Sequence, residues 1–133
     1  MDVPTACGQP RMSVWSAYKL GVRLQAHRFR PFAWQSMLRL PANWVRCLTP
    51  IDYVRYREFE FAFAAIRSYG HTARRILDIS SPKLAPLTVA ACLPEAEVRV
   101  ANILPEEASE VSHDAAYLGL GNLIAEVHDA RSL

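Results

Sequence analysis

Three polar groups, each just past a short apolar run, are the residues best suited to chemistry in this 133-residue chain. Asp78 and Ser80-Ser81 close the run Arg75-Ile76-Leu77, Asn102 closes Val98-Arg99-Val100-Ala101, and Asp129-Ala130 follows Leu123-Ile124-Ala125-Glu126-Val127. Carboxylate and amide oxygens accept hydrogen bonds from ribose hydroxyls or an exocyclic amine. In an open parallel sheet, ligands bind outside the carboxyl ends of the strands, so groups distant in sequence converge on one rim. That convergence suits a nucleotide-like ligand. Ser80 and Ser81 have no histidine at a spacing that would make either a nucleophile. His27, His71, His113 and His128 show no i, i+4 metal pair, and Cys7, Cys47 and Cys92 contain no CxxC, so no metal site is expected.

The elements that must position these groups follow from periodicity and punctuation. A helix is expected over 13–29, with Trp15, Tyr18, Val22, Ala26 and Phe29 on one stripe and Lys19, Arg23, His27 and Arg30 on another. Pro31 interrupts it, and a shorter helix ended by Pro41 is expected over Phe32–Leu40. Thr49-Pro50-Ile51-Asp52 is a helix start, with a capping Thr, a Pro at the first helical position and a carboxylate near the positive end of the dipole. The helix over 51–69 then carries the apolar stripe Tyr56, Phe59, Phe63, Ile66, and Gly70 stops it. Strands are expected at 75–79, 97–103 and 123–127. A short buried helix over 87–93 and a second helix opened by Pro105-Glu106-Glu107 and closed by Gly119 and Gly121 separate them. This alternation predicts an α/β fold with a parallel sheet, a partial Rossmann-like arrangement of about three strands in the order 3-2-1. Residues 1–48 form a basic helical extension and 49–133 the sheet-bearing part.

At these residues the chain resembles the class I S-adenosylmethionine-dependent methyltransferases over roughly 50–133. Arg75-Ile76-Leu77-Asp78-Ile79-Ser80-Ser81-Pro82-Lys83 looks like the first strand and cofactor loop, in a Ser-Pro variant of the usual Gly-x-Gly. Val98-Arg99-Val100-Ala101-Asn102-Ile103 looks like the second strand, with Asn102 where an acid is usual. Val127-His128-Asp129-Ala130 is similar to the segment after the third strand. The resemblance implies S-adenosylmethionine as cofactor. Asp78 and the backbones of Ser80 and Ser81 would lie beside its methionine part, Asn102 at the ribose hydroxyls, and Asp129 and Ala130 at the adenine. Pro86 fits only if the intervening helix starts near residue 85. The fourth strand of the family would lie beside the first and falls beyond Leu133, as does the region that supplies catalytic residues. The first strand is thus expected as an unpaired, association-prone edge, and the chain as the cofactor-binding half of the enzyme.

Charge and composition bound the alternatives. Residues 1–75 carry 12 Lys/Arg against 4 Asp/Glu, and residues 76–133 carry 3 against 9, within an overall charge of +2. With 51% hydrophobic and 21% charged residues, long disorder, collagen-like and disulfide-scaffold classes are excluded. The odd, scattered cysteines suit a reducing compartment, and the absence of a signal-like segment and of eighteen consecutive apolar residues points to the cytoplasm. Asp78 can instead cap a helix, Asn102 can be a turn residue and Asp129 can be solvated. Two further readings remain: another Rossmann-like nucleotide binder, disfavoured by the missing GxGxxG after Ile79, and a non-catalytic interaction module. In the latter, the basic amphipathic helix would meet a partner or a membrane surface, with nucleic acid the weaker option.

Overall fold

A computed structural model describes residues 12–29, 49–51, 53–69, 72–79 and 82–129. In order these form α1 (Val14–Phe29), α2 (Tyr53–Tyr69), β1 (Arg75–Ile79), α3 (Leu84–Cys92), β2 (Glu97–Asn102), α4 (Pro105–Leu118) and β3 (Leu123–Val127). The strands pair in parallel in the order β1-β2-β3, with Ile76 opposite Val98 and Val98 opposite Leu123. This is the expected α/β sheet, with β1 on one edge. The expected helix over 32–40, the Gly70 stop, Cys7 and Cys47 lie outside the described residues.

The two crossovers step across the sheet in the same direction. Right-handed connections therefore place α3 and α4 on one face. Register and burial identify that face. Val98 and Val100 are buried with Leu87, Val89, Val111 and Leu123 in one core, and Ile76 and Ala125 pack against it. The residues between them point the other way. Leu77 is 54% exposed, Ile79 53% and Ile124 37%, so one sheet face is covered by helices and the other is open. On the open face Arg99 bridges Glu97 at 2.8 Å and Glu126 at 3.3 Å, and His128 lies 3.3 Å from Glu126. The guanidinium of Arg99, by its hydrogen bond first and its charge second, holds the Glu97 carboxyl below its ordinary range.

The helices follow from their sequences. α3 touches both α1 and β2, so it is apolar nearly all round and buried from Ala85 through Ala90. Its start at Leu84 meets the condition set by Pro86: the ring sits in the first turn, where N–H groups lack intrahelical partners anyway. The buried Thr88 hydroxyl donates to the Leu84 carbonyl at 2.6 Å. α4 begins at Pro105, with Glu106 and Glu107 in its first turn, and ends at Gly119, whose φ of 72° is the left-handed conformation that glycine adopts without strain. The Leu120 N–H closes this turn on the Ala115 carbonyl at 2.9 Å.

The buried stripe of α1 differs from expectation. Trp15 is 61% exposed, whereas Val14, Ala17 and Leu24 are buried, with Gly21 on the same face. Small residues decide this orientation. A Cβ added to Gly21 would fall 2.6 Å from the Pro50 Cβ, so the helix approaches its neighbours where it has least bulk. The aromatic residues move to the flank, where the Trp15 and Tyr18 rings stack at 5.2 Å and the Lys19 ammonium lies 5.4 Å from the Trp15 ring centre. In α2 the buried members of the stripe are Phe59 and Phe63, with ring centres 5.6 Å apart, while Tyr56 is 49% exposed.

One side chain, Asn122, ties the connections together. Its Nδ2 lies 3.1 Å from the Ala90 carbonyl oxygen, 3.0 Å from that of Leu93 and 2.9 Å from that of Ala96. Its own carbonyl accepts from the Val98 N–H at 2.8 Å. The end of α3, the turn into β2 and the start of β3 therefore share one donor group. We expect Asn122→Ala to lower stability by roughly 1–3 kcal/mol in urea unfolding, because partly buried carbonyls lose their donor. Asn122→Asp should cost more, since it faces a carboxylate to those carbonyls; a wild-type midpoint in both variants would contradict this role. Gly21→Ala should cost about 1–3 kcal/mol through overpacking against Pro50.

Candidate functional site

The carboxyl rim of the sheet is where the parallel arrangement concentrates polar groups. Asn102 ends β2 on the helix-covered face, and only 3% of it is exposed. Its carbonyl accepts from the His128 N–H at 2.9 Å, which holds the ends of β2 and β3 together. Asn102 lines a cavity of about 320 Å³ together with Arg55, Pro82, Lys83, Glu107, Glu110 and Val111. That volume is at the lower end of the range of about 300–1,000 Å³ typical of small-molecule pockets.

The lining groups come from four parts of the chain. Lys83 immediately precedes α3, Glu107 lies in the first turn of α4 and Glu110 one turn further, while Arg55 reaches across from α2. The Lys83 Nζ donates to Glu110 at 2.6 Å and so links the starts of α3 and α4. This hydrogen bond and the charge of Lys83 hold the Glu110 carboxyl below its ordinary range against the opposing effect of desolvation, with a lesser contribution from the charge of Arg28. Deeper along α4, the Arg28 Nη2 donates to Asp114 at 2.7 Å and lies 3.8 Å from Glu110. The Asp114 side chain is only 5% exposed, and this contact fastens α1 to α4. Arg55 pairs with Glu58 on its own helix at 2.7 Å, with both side chains about half exposed.

The sequence-predicted residues fall as follows. Asp78 is half-buried on the same sheet face as Asn102, on the adjacent strand, and its Cα partner Val100 is two residues before Asn102. Asp129 is half-buried two residues after β3. Both have interaction partners, but neither lines the cavity that holds Asn102. Ser80, Ser81 and Ala130 lie outside the described residues. Sequence reasoning missed Arg55, Glu110, Arg28 and Asp114. Glu107 was visible only as a first-turn acid, and Lys83 only as part of the loop motif. Their partners lie 27 residues apart for Lys83–Glu110 and 86 apart for Arg28–Asp114, so no local pattern announces them.

The arrangement holds two cations, two carboxylates and one buried amide around a partly apolar space. It can accept hydrogen bonds from hydroxyl or ammonium groups and donate to a carboxylate or phosphate, which suits a zwitterionic ligand better than a purely anionic one. Among the described residues, no cluster of three His, Cys, Asp or Glu side chains could hold a metal ion. Buried Cys92 is a free thiol whose pKa is pushed up by desolvation, the setting of an unreactive cysteine. No described helix is long and apolar enough to cross a membrane. No protein-family model, curated protein or solved structure matches the chain.

Two outcomes follow for the rim charges. Because the Glu110 carboxyl is depressed in the folded state, its contribution is present above the unfolded carboxylate value of about 4.3 and is lost as pH falls through the folded value. Urea midpoints of wild type and Glu110→Gln should therefore differ near neutrality, by less than about 1 kcal/mol for so exposed a pair, and converge as pH falls through the folded value. Arg28→Met leaves the Asp114 carboxylate buried without this partner and should cost roughly 1–3 kcal/mol. Arg28→Met/Asp114→Leu should recover much of that loss.

Proposed function

We propose that this chain is the cofactor-binding part of a class I S-adenosylmethionine-dependent methyltransferase. The observation that carries the reading is Asn102: a buried amide at the carboxyl end of the middle parallel strand, lining a cavity of about 320 Å³ with charges of both signs. S-adenosylmethionine has groups complementary to that lining. Its ribose hydroxyls can donate to the Asn102 oxygen and to Glu107. Its amino acid end is a zwitterion, which Lys83 and Arg55 on one side and Glu110 on the other can engage. When bound, the cofactor supplies an electrophilic methyl group. The residues described here bind and orient it, and the contribution of such a protein is chiefly positioning. Asp78, on β1, and Asp129, two residues past β3, flank the end of the middle strand; we assign them to the methionine side and the adenine side respectively, and the resemblance implies Ser80, Ser81 and Ala130 beside them. The methyl acceptor and the catalytic base are not assigned to any described residue.

Another Rossmann-like dinucleotide binder is the second reading. It shares the sheet but requires close backbone approach to a pyrophosphate, and a net-neutral pair of cations and carboxylates around the cavity suits a zwitterion better. The third reading is a non-catalytic interaction module in which the basic amphipathic helix α1 meets a partner or a membrane surface. Calorimetry of the folded chain with S-adenosylmethionine and with NAD separates them. We expect saturable binding of S-adenosylmethionine alone, weakened about tenfold or more by Asn102→Ala, the order expected for loss of a buried hydrogen-bonding partner. Tighter binding of NAD would favour the second reading, and binding of neither would favour the third.

A further inference from the structure

A second cavity, of about 370 Å³, opens between α1, the Pro50-Ile51 lead into α2 and the start of α3. Leu24, Ile51, Phe59 and Leu84 form its apolar wall, and Leu24 and Phe59 are themselves buried. Four ionisable side chains reach it: Arg28, Arg55, Lys83 and Asp114. Asp114 is engaged by Arg28 at 2.7 Å. Among the described residues the lining therefore carries three cations and one carboxylate, and Arg55 and Lys83 hold their own partners, Glu58 at 2.7 Å and Glu110 at 2.6 Å, at its edge. The Arg55–Glu58 pair is about half exposed on both sides, and a surface pair of that kind yields readily to a competing anion.

An apolar wall with an excess of cations at one side is complementary to one class of ligand. We propose that this cavity binds a small organic acid, with an aromatic or branched aliphatic body against Leu24, Ile51, Phe59 and Leu84 and a carboxylate at Arg55 and Lys83. The guanidinium and ammonium supply charge-assisted hydrogen bonds, stronger than those between neutral groups. The apolar wall rejects a fully hydrated inorganic anion, which would lose its water without replacement. Arg55, Pro82 and Lys83 line this cavity and the one that holds Asn102, so the two share a wall. The proposal stands apart from the cofactor reading, because it concerns a different cavity and is tested with no nucleotide present.

The test is a titration of the full chain with 3-phenylpropionate and with its neutral amide, followed by calorimetry and by NMR chemical shifts. The acid should bind saturably and at least tenfold more tightly than the amide, with the largest shifts at Leu24, Phe59 and Leu84. Arg55→Gln changes an exposed side chain and should weaken the acid several-fold while leaving the amide unaffected. Gln25→Trp introduces an indole from the half-buried rim of the cavity and should block both ligands. Circular dichroism and thermal unfolding verify that each variant is folded. Equal affinity for acid and amide, no saturable binding of the acid by the folded wild type, or acid binding unchanged in both variants would each overturn the proposal.

Discussion

Two right-handed crossovers that step the same way across a parallel sheet leave one arrangement for everything else. Both connecting helices lie on one face, so the core must form there, and the strands must turn their bulk toward it at alternate positions. Ile76, Val98, Val100, Leu123 and Ala125 supply that bulk. The opposite face then carries what the core does not need. Its alternation of Leu77 and Ile79 with the Glu97–Arg99–Glu126 bridges is neither a normal solvent face nor a buried one. The same constraint gathers the strand ends on one rim, and it brings Asn102, Lys83, Glu107 and Glu110 within reach of one cavity although they belong to three different elements.

The rim is held by charges that also define its chemistry. Lys83 and Glu110 join the starts of α3 and α4, while Arg28 and Asp114 join α1 to α4. Exposed pairs of this sort add little to stability. Their larger effect is to fix where the cations and carboxylates stand before any ligand arrives. A site that must discriminate a zwitterion needs both signs at defined places, and pairs within the protein keep both signs there without net charge. The buried end of this system, Asp114, is the member that cannot lose its partner cheaply, since an unpaired carboxylate out of water is strongly unfavourable.

The strands and their order were legible in the sequence, because each strand is a short, largely apolar run separated from the next by a helix-length segment. β1 and β3 fall at the expected residues, and β2 ends one residue early at Asn102. The face of α1 was not legible. Periodicity counts apolar side chains, and by that count Trp15, Tyr18 and Val22 outweigh Ala17 and Gly21. Close packing rewards the opposite choice, because helices approach most closely where side chains are smallest. Asn122 was missed for another reason: nothing local distinguishes a turn asparagine from one whose amide reaches three carbonyls of another connection. The rim cations were missed because ion pairs 27 and 86 residues apart leave no periodic trace. Asn102 was found because a strand end is a place that topology alone makes special.

The division of charge along the chain acquires a structural meaning from the same contacts. Among the described residues, the basic face of α1 meets the acidic α4. Arg28 of α1 meets Asp114 and Glu110 of α4, and the Arg23 guanidinium lies 5.7 Å from the ring centre of Tyr117. The His27 ring stacks on that same tyrosine at 3.6 Å. Arg23 and His27 belong to the basic stripe that, read from sequence, suits a membrane surface. Here both are turned toward α4. A basic amphipathic pattern therefore has an intramolecular explanation in this fold: the helix supplies cations to an acidic neighbour and uses small residues, not aromatic ones, to reach the core. Contacts with α4 account for the placement of Arg23, His27 and Arg28, and the first turns of the same helix line the cavity that holds Asn102.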